Sequence, residues 1–208
     1  MLKIEKTEFA GFEAAIRGAR NPMNSWDKSD TVPGYGDNGC DAIIGENDLG
    51  LLKRLRKAGT DHRKFMRMIV VWCDITAPLY WWKEFDTYKV GTVANSCSTM
   101  HKIHARPFTL MDFSHEHLEP ECRGLLITVI SYLNIEREYF VKSKSKTDWY
   151  QMIQLLPTSY NQKRTVMLNY EVLANIYHSR KNHKLEEWHT FCDWIKTLPY
   201  SELITGEE

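Results

Sequence analysis

The sequence predicts an α+β fold in which a mixed sheet is flanked by helices, with more helix than strand. Seven segments carry hydrophobic residues at helical spacing, whereas only three short segments have the composition or alternation of strands. These segments do not follow one another as regular strand-helix pairs. The chain has 208 residues, of which 43% are hydrophobic, so it can bury one core and we expect a single domain over residues 1–208.

The first quarter of the chain predicts a strand, a helix and a long loop. Residues 4–9 alternate as a strand does, and residues 12–20 follow the 3.6-residue rhythm of a helix. Residues 21–50 are dense in Gly, Pro, Asn, Asp and Ser, which indicates a long loop. Asp48 is placed to cap a helix over residues 49–58.

The middle of the chain predicts a buried strand and two helices. Residues 68–75 are rich in β-branched and aromatic side chains without helical periodicity, which is typical of a buried strand. Prolines then open a helix over residues 79–89 and a longer one over residues 120–139. Residues 142–147 are expected to form a short linker. The predicted core stripe of the longer helix consists of Leu125, Leu126, Val129, Ile130 and Leu133.

The last third of the chain predicts one strand among three helices. Asp148 is placed to cap a helix over residues 149–156. Residues 164–168 are expected to form a strand. Two helices follow, over residues 170–180 and 185–197.

Composition excludes several classes of protein. Lys plus Arg and Asp plus Glu both total 27, so no net charge attracts nucleic acid. The longest apolar run, residues 125–133, is far shorter than the ~20 residues of a membrane span. The five cysteines are odd in number and widely spaced, which indicates reduced thiols and a soluble, cytoplasmic protein rather than a disulfide framework.

Several stretches, read in order, resemble the flavin-dependent thymidylate synthases. Residues 16–20, Ile-Arg-Gly-Ala-Arg, are similar to that family's Val-Arg-Ala-Ala-Arg helix, and residues 77–80, Ala-Pro-Leu-Tyr, resemble the approach to its signature. The signature, Arg-His-Arg-x-x-Ser-x-Asn-Glu-x-Ser-x-Arg, falls on residues 87–99. The family's Asn-x-Arg-x-x-x-Asn helix and a later arginine fall on residues 169–180. The resemblance covers about two thirds of the chain.

The resemblance implies a set of binding residues. Residues in the register of the family's flavin contacts are Tyr88, Lys89, Asn95, Asn169 and Asn175. Residues in the register of its nucleotide contacts are Glu84, Cys97 and Arg180. The family uses FAD, with NADPH and methylene-tetrahydrofolate as co-substrates, methylates a uridine nucleotide, and assembles as a homotetramer with sites between subunits.

The departures from the family pattern have physical consequences. Thr87, Tyr88 and Lys89 stand where the signature has Arg-His-Arg. A guanidinium grips a phosphate with a planar fork, whereas lysine offers one mobile charge, so we expect weaker phosphate binding here. Glu171 stands where the family has the arginine of Asn-x-Arg, which reverses a charge beside the expected flavin. Uridylate methylation is therefore doubtful from the sequence.

Without the resemblance, the residues themselves leave alternatives open. The aromatic side chains of residues 79–89 recur at helical spacing, which favours core packing over a flavin platform. Cys97 lies near His101 and His104, which permits either a histidine-assisted thiolate nucleophile or a loop cysteine without a role. Those histidines and residues 115–117, His-Glu-His, lack the Cys or Asp partners of a ligand set, so we assign no metal site.

Three functions follow from these observations. The first is a flavin-dependent enzyme that modifies a uridine nucleotide. The second is a catalytically inactive nucleotide-binding protein of the same fold, with a regulatory or phage-related role. The third is an oligomeric scaffold that binds no ligand.

Overall fold

A computed structural model describes residues 1–34 and 39–207 and has the predicted α+β class. Positions 35–38 of the predicted long loop lie outside the described residues. The helices are α1 (Phe12–Arg20), α2 (Glu46–Lys57), α3 (Leu79–Phe85), α4 (Thr99–Lys102), α5 (Pro120–Ser143), α6 (Lys146–Leu155), α7 (Tyr170–Arg180), α8 (Glu186–Lys196) and α9 (Glu202–Thr205). Among the described residues, no helix combines the length and apolar character needed to cross a bilayer.

Two sheets contain the strands β1 (Lys3–Ala10), β2 (Val32–Pro33), β3 (Ala42–Ile43), β4 (Val70–Pro78), β5 (Val93–Ser96) and β6 (Asn161–Asn169). The four-stranded sheet has the order β1-β4-β6-β5, and β2 pairs antiparallel with β3. Strands β1, β4 and β6 confirm the three predicted strands. Strand β5 was not predicted, because all four of its residues are exposed and carry no alternating pattern.

The chain folds into two compact units, each assembled from separate stretches. Unit I consists of Met1–Lys3, Ile75–Thr87 and Asn95–Arg164. Unit II consists of Ile4–Asp74, Tyr88–Ala94 and Thr165–Glu208. The single domain over residues 1–208 remains a prediction.

The core of unit I lies under α5 and α6. Its buried cluster comprises Ile103, Phe108, Phe113, Leu126, Ile130, Leu133 and Met152. The predicted core stripe of α5 is correct for Leu126, Ile130 and Leu133, which are buried. It is wrong for Leu125, which is 68% exposed. Leu125 and Leu126 are neighbours in sequence, so they point about 100° apart around the helix and only one can face the core.

The predicted linker over residues 142–147 is wrong, because helix occupies most of it. Helix α5 continues to Ser143 and α6 begins at Lys146. Lys144 ends α5 in the left-handed region with φ of 58°, and its N–H donates to the Phe140 carbonyl. Ser145 caps α6 by accepting the Thr147 N–H, so the predicted cap Asp148 does not hold that position. Two residues therefore suffice to separate the helices.

In unit II, aspartates tie the predicted long loop, residues 21–50, to two helix N-termini. The Asp41 carboxylate accepts the N–H groups of Gly11 and Phe12 at 3.0 Å, which satisfies the start of α1. The Asp30 carboxylate accepts the N–H groups of Asn47 and Asp48 at 2.8 and 3.0 Å, at the start of α2. The segment also contains two short 3-10 turns and the β2-β3 pair.

Asp48 lies inside the first turn of α2, so its predicted role as the cap of a helix over residues 49–58 is wrong. Its side chain is fully buried and forms an ion pair with Arg20 at 2.6 Å. It also accepts hydrogen bonds from the hydroxyl groups of Ser29 and Thr31. Burial acts to raise the pKa of Asp48, but these hydrogen bonds and the Arg20 charge lower it overall. The carboxylate thus anchors the loop rather than the helix.

Candidate functional site

The predicted flavin contact Asn169 is the N-cap of α7. Strand β6 ends at Asn169, and its Oδ1 accepts the Val172 N–H at 2.9 Å. The amide nitrogen faces the segment of the expected signature, since a Cβ on Gly91 would lie 2.7 Å from Asn169 Nδ2. Gly91 has φ of +79°, which a side chain would also disfavour. The Asn169 oxygen is therefore committed to the helix.

Tyr88 and Arg180, both predicted site residues, contact each other in unit II. Arg180 Nε donates to the Tyr88 hydroxyl at 2.8 Å. The guanidinium carbon lies 5.6 Å from the Tyr88 ring centroid and 4.8 Å from that of the buried Trp188. Two aromatic faces thus hold the guanidinium by cation–π contact. Lys89, the neighbouring flavin candidate, is exposed.

Asn175 lies on a different face of α7 from the other two predicted contacts. Because each helical residue turns about 100°, positions 169 and 180 differ by about 20° whereas position 175 is about 120° from the first. Asn175 is exposed, and its Oδ1 accepts Arg63 Nη2 at 3.5 Å. The structure therefore does not bring Asn169, Asn175 and Arg180 together on one face.

Glu171, the charge reversal noted in the sequence, is paired in the structure. Its side chain is buried, and its Oε2 lies 2.9 Å from Arg63 Nε. Oε1 accepts a hydrogen bond from the same nitrogen at 3.1 Å. A buried carboxylate is costly unless it is paired, so Arg63 is required wherever Glu171 is buried.

The remaining predicted residues belong to unit I. Glu84 lies in α3, where its carbonyl accepts the Thr87 hydroxyl at 2.7 Å. Asn95 lies in β5 and is exposed. Cys97 follows β5 and is also exposed, while its backbone N–H and carbonyl bond Lys163 and Gln162 at 2.9 and 2.8 Å.

Cys97 lines a cavity of unit I with a volume of about 470 Å³. Other polar residues at this cavity include Thr76, Thr99, Lys102, Tyr160 and Gln162. The Lys102 ammonium forms no ion pair or hydrogen bond with the described residues. The cavity therefore presents the Lys102 ammonium together with several hydroxyl groups, a combination suited to a small anionic ligand.

Charge at the cavity rim is set by Arg106 and Asp112, which form an ion pair. Burial acts to raise the pKa of Asp112, but hydrogen bonds from Arg106 and Thr109 lower it overall. Burial raises the pKa of Tyr160, and the Asp112 charge adds to this effect. The Tyr160 hydroxyl is thus a neutral donor at physiological pH.

The aromatic side chains of α3 belong to the core. Trp81, Trp82 and Phe85 are buried, and their ring centroids lie 5.0 to 5.2 Å apart. Trp81 stacks on Phe85 and the other two ring pairs are T-shaped, so these three buried rings offer no open face to a flavin. Cys97 forms no hydrogen bond with His101 or His104 within residues 1–34 and 39–207. Among the described residues, no three His, Cys, Asp or Glu side chains are grouped so that they could hold a metal ion.

No family model matches the sequence, and a search of curated proteins finds no relative. Solved structures do match. A crystal structure of thymidylate synthase X from Helicobacter pylori, with FAD and dUMP, superposes with a TM-score of 0.69 over 99% of this chain and 98% of that one, at 15% identity. The chain has the fold of thymidylate synthase X. The UMP/dUMP methylase PolB from Streptomyces cacaoi, bound with 5-Br dUMP, matches with a TM-score of 0.65 over 99% and 94% of the chains, at 13% identity.

Because the chain has the thymidylate synthase X fold, each residue expected to contact the flavin can be judged by whether its polar groups are already bonded within the protein. Asn169 and Arg180 are engaged by the helix terminus and by aromatic rings. Asn175 Nδ2 and Arg63 Nη1 form no hydrogen bond with the described residues. These two donors suit the carbonyl and phosphate oxygens of a flavin nucleotide. The Asn175 face of α7 therefore fits such a group.

Sequence reasoning on the thymidylate synthase X pattern missed Arg63, Lys102 and Tyr160. Arg63 lies in none of the stretches that resemble the family, and it is 108 positions from Glu171. The sequence indicates a role for Arg63 only indirectly: if Glu171 is buried, its carboxylate needs a cation from another part of the chain. Lys102 and Tyr160 carry no motif in the sequence.

Proposed function

We propose that the protein binds a uridine nucleotide in the cavity of unit I. The observation that carries this proposal is the placement of Cys97 and Thr99, the last residues in the signature register, on a 470 Å³ cavity that also holds Lys102. This volume lies within the range of about 300–1,000 Å³ typical of small-molecule sites. The fold shared with two proteins whose structures contain dUMP or its 5-bromo derivative supports the ligand class.

The cavity residues divide the work of binding by their chemistry. Lys102 provides the charge for the phosphate, because its ammonium has no ion-pair or hydrogen-bond partner among the described residues. Thr76, Thr99 and Tyr160 supply hydroxyl groups for the sugar and the base edge. The Gln162 amide is held by the Cys97 carbonyl and by Arg164 Nε at 3.0 Å, so it forms a fixed wall.

Calorimetric titration with dUMP and with deoxyuridine tests this proposal. We expect dUMP to bind more tightly, and Lys102→Ala to remove most of the difference by weakening dUMP about 10-fold or more, as a charged hydrogen bond requires. Lys142→Ala, on the exposed end of α5, is the matched control and should bind dUMP normally. The proposal would be contradicted if dUMP and deoxyuridine bound with equal affinity, or if Lys102→Ala and Lys142→Ala bound dUMP with equal affinity.

A second candidate is flavin-dependent methylation of that nucleotide, with FAD as cofactor and with NADPH and methylene-tetrahydrofolate as co-substrates. The match over nearly the full length to a UMP/dUMP methylase favours it. When bound, the flavin would supply the hydride chemistry, and this chain would contribute binding and orientation. Flavin absorbance after incubation with FAD, followed by an assay for thymidylate, tests this candidate. A protein that binds dUMP but neither retains FAD nor forms product is a binding protein.

We also propose a homo-oligomer, a tetramer by resemblance, with α5 at its interface. Leu125, Tyr132, Ile135 and Tyr139 are at least 45% exposed and follow heptad spacing along about 20 Å of helix. Between them, Thr128 and Ser131 bond carbonyls of their own helix, so their hydroxyl groups do not require water. A second copy of the chain is the occupant that such a stripe fits.

The free thiols of all five cysteines support a cytoplasmic location.

A further inference from the structure

Arg63 is held in a defined orientation by Glu171. The guanidinium Nε contacts both oxygens of the carboxylate, at 3.1 and 2.9 Å, and the two side chains are only 16% and 10% exposed. A charged pair with so little freedom keeps the planar guanidinium in one place. Its Nη atoms are therefore presented in a fixed direction, away from the buried carboxylate.

That direction is toward the exposed amide of Asn175. Arg63 Nη2 lies 3.5 Å from Asn175 Oδ1, so the amide oxygen faces the guanidinium and the amide nitrogen faces outward. Neither Asn175 Nδ2 nor Arg63 Nη1 has a hydrogen-bond partner within the described residues. Both of these groups are donors, which suits phosphate or carbonyl oxygens.

Local charge also favours an anion at this place. Burial is the largest cause of a lowered pKa of Arg56, and the nearby positive charge of Arg63 is the second. The Arg56 and Arg63 guanidiniums therefore both lie within electrostatic range of the Glu171 carboxylate. Arg56 itself is committed, because its Nε and Nη2 donate to the carbonyls of Leu203 and Ile204 at 2.9 and 3.0 Å. Arg63 is thus the guanidinium with groups to offer a ligand.

Positions 171 and 175 are one helical turn apart and share a face of α7. Glu171 stands at the arginine position of the Asn-x-Arg-x-x-x-Asn pattern. We infer that Arg63 supplies a guanidinium on this face in place of that arginine, and that Arg63 and Asn175 together bind a flavin nucleotide. Glu171 is a positioning residue, since it acts through Arg63. This inference rests on the candidate function of flavin binding.

Titration of FAD, followed by flavin fluorescence anisotropy and by the shift in melting temperature, tests the inference. We expect Arg63→Ala to weaken FAD at least 10-fold, and Arg63→Lys to weaken it almost as much, because lysine lacks the fork. Arg67→Ala, at the exposed end of the adjacent 3-10 turn, should bind FAD as the wild type does. Riboflavin and ADP, titrated separately, distinguish contact with the flavin ring from contact with the pyrophosphate.

Removal of Arg63 also leaves a buried carboxylate, so a folding control is needed. The exchanged pair Arg63→Glu with Glu171→Arg keeps the charges matched and should recover FAD binding to within a few-fold of wild type. Wild-type FAD affinity in a folded Arg63→Ala protein, or no recovery in a folded exchanged protein, would overturn the inference while leaving flavin binding in place. If the wild type itself binds no flavin, both the inference and the flavin candidate fail, whereas dUMP binding in unit I is judged separately.

Discussion

Arg20 and Asp48 form a buried ion pair, with 2.6 Å between Nη2 and Oδ1, that joins the end of α1 to the start of α2. The second carboxylate oxygen accepts the backbone N–H groups of Asp30 and Thr31 at 3.2 and 3.1 Å. One side chain thereby fixes a segment that its Gly, Pro and Asp content would otherwise leave loose. The buried charge of Asp48 therefore organises the first part of the predicted loop, residues 29–31, at the start of α2.

Asp48→Ala should destabilise the protein strongly. The substitution leaves Arg20 buried without its anion, and breaking a buried pair in this way costs about 3–5 kcal/mol. Urea unfolding followed by circular dichroism measures the loss. Glu13→Ala, which removes the exposed pair of Glu13 with Arg17, is the control and should change the free energy of unfolding by about 0.5 kcal/mol or less.

The same carboxylate should make stability depend on acid pH. The pKa of Asp48 in the folded protein lies below its ordinary value of 3.8. Its contribution to stability is therefore fully present above that value and is lost as pH falls through the folded pKa. Unfolding measured across this range should show a smaller loss for Asp48→Asn than for the wild type. An identical acid dependence of the two proteins would show that other carboxylates dominate.

Two glycines should respond to alanine in opposite directions. Gly91→Ala places a Cβ 2.7 Å from Asn169 Nδ2 at φ of +79°, so we expect a loss of about 1–3 kcal/mol and a disturbed N-cap of α7. Gly124 lies within α5, and a Cβ there meets no described atom within 4 Å. Gly124→Ala should therefore stabilise the helix by about 0.5–1 kcal/mol. Thermal and urea unfolding of both variants measure the contrast.

Local patterns predicted the elements of the fold well and their ends less well. Helix α7 has the predicted bounds, and β6 extends the predicted strand over residues 164–168 by only a few positions. The start of α2 was misplaced because its N–H groups are satisfied by Asp30, 17 and 18 positions earlier, rather than by a neighbouring side chain. Such capping from a distant loop leaves no local signal.

The site was less predictable because its geometry depends on contacts between distant residues. Counting along α7 located Asn169, Asn175 and Arg180, and helical rotation alone would have separated the middle residue from the other two. The pairing of Arg63 with Glu171 and the stacking of Arg180 on Trp188 require the tertiary fold. The residues that line the unit I cavity come from separate stretches and share no spacing.

Charge on the exposed stripe of α5 should break the proposed assembly. Tyr132→Glu with Ile135→Glu places two carboxylates at the middle of the interface, where like charges from two copies would meet without water. Light scattering coupled to size exclusion should report a lower mass for this variant and unchanged circular dichroism. Glu136→Gln, on the same helix but half-buried beside the stripe, is the control. A wild-type protein that is monomeric at all accessible concentrations would contradict the interface.

The five cysteines should separate into two reactivity classes. Burial raises the pKa of Cys40 and of Cys73 to about 12 and that of Cys192 to about 11, so these thiols are protonated and shielded. Cys97 and Cys122 are exposed. Brief treatment with iodoacetamide at mildly alkaline pH, followed by mass spectrometry, should therefore modify these two alone.

Ligand protection adds an internal control to that experiment. Cys97 lines the unit I cavity and Cys122 lies in the first turn of α5, outside the cavity lining. Saturating dUMP should slow alkylation of Cys97 several-fold and leave Cys122 unchanged. Equal rates with and without dUMP, in protein that binds dUMP by calorimetry, would place the nucleotide elsewhere. Modification of Cys73 before unfolding would contradict the buried position of β4.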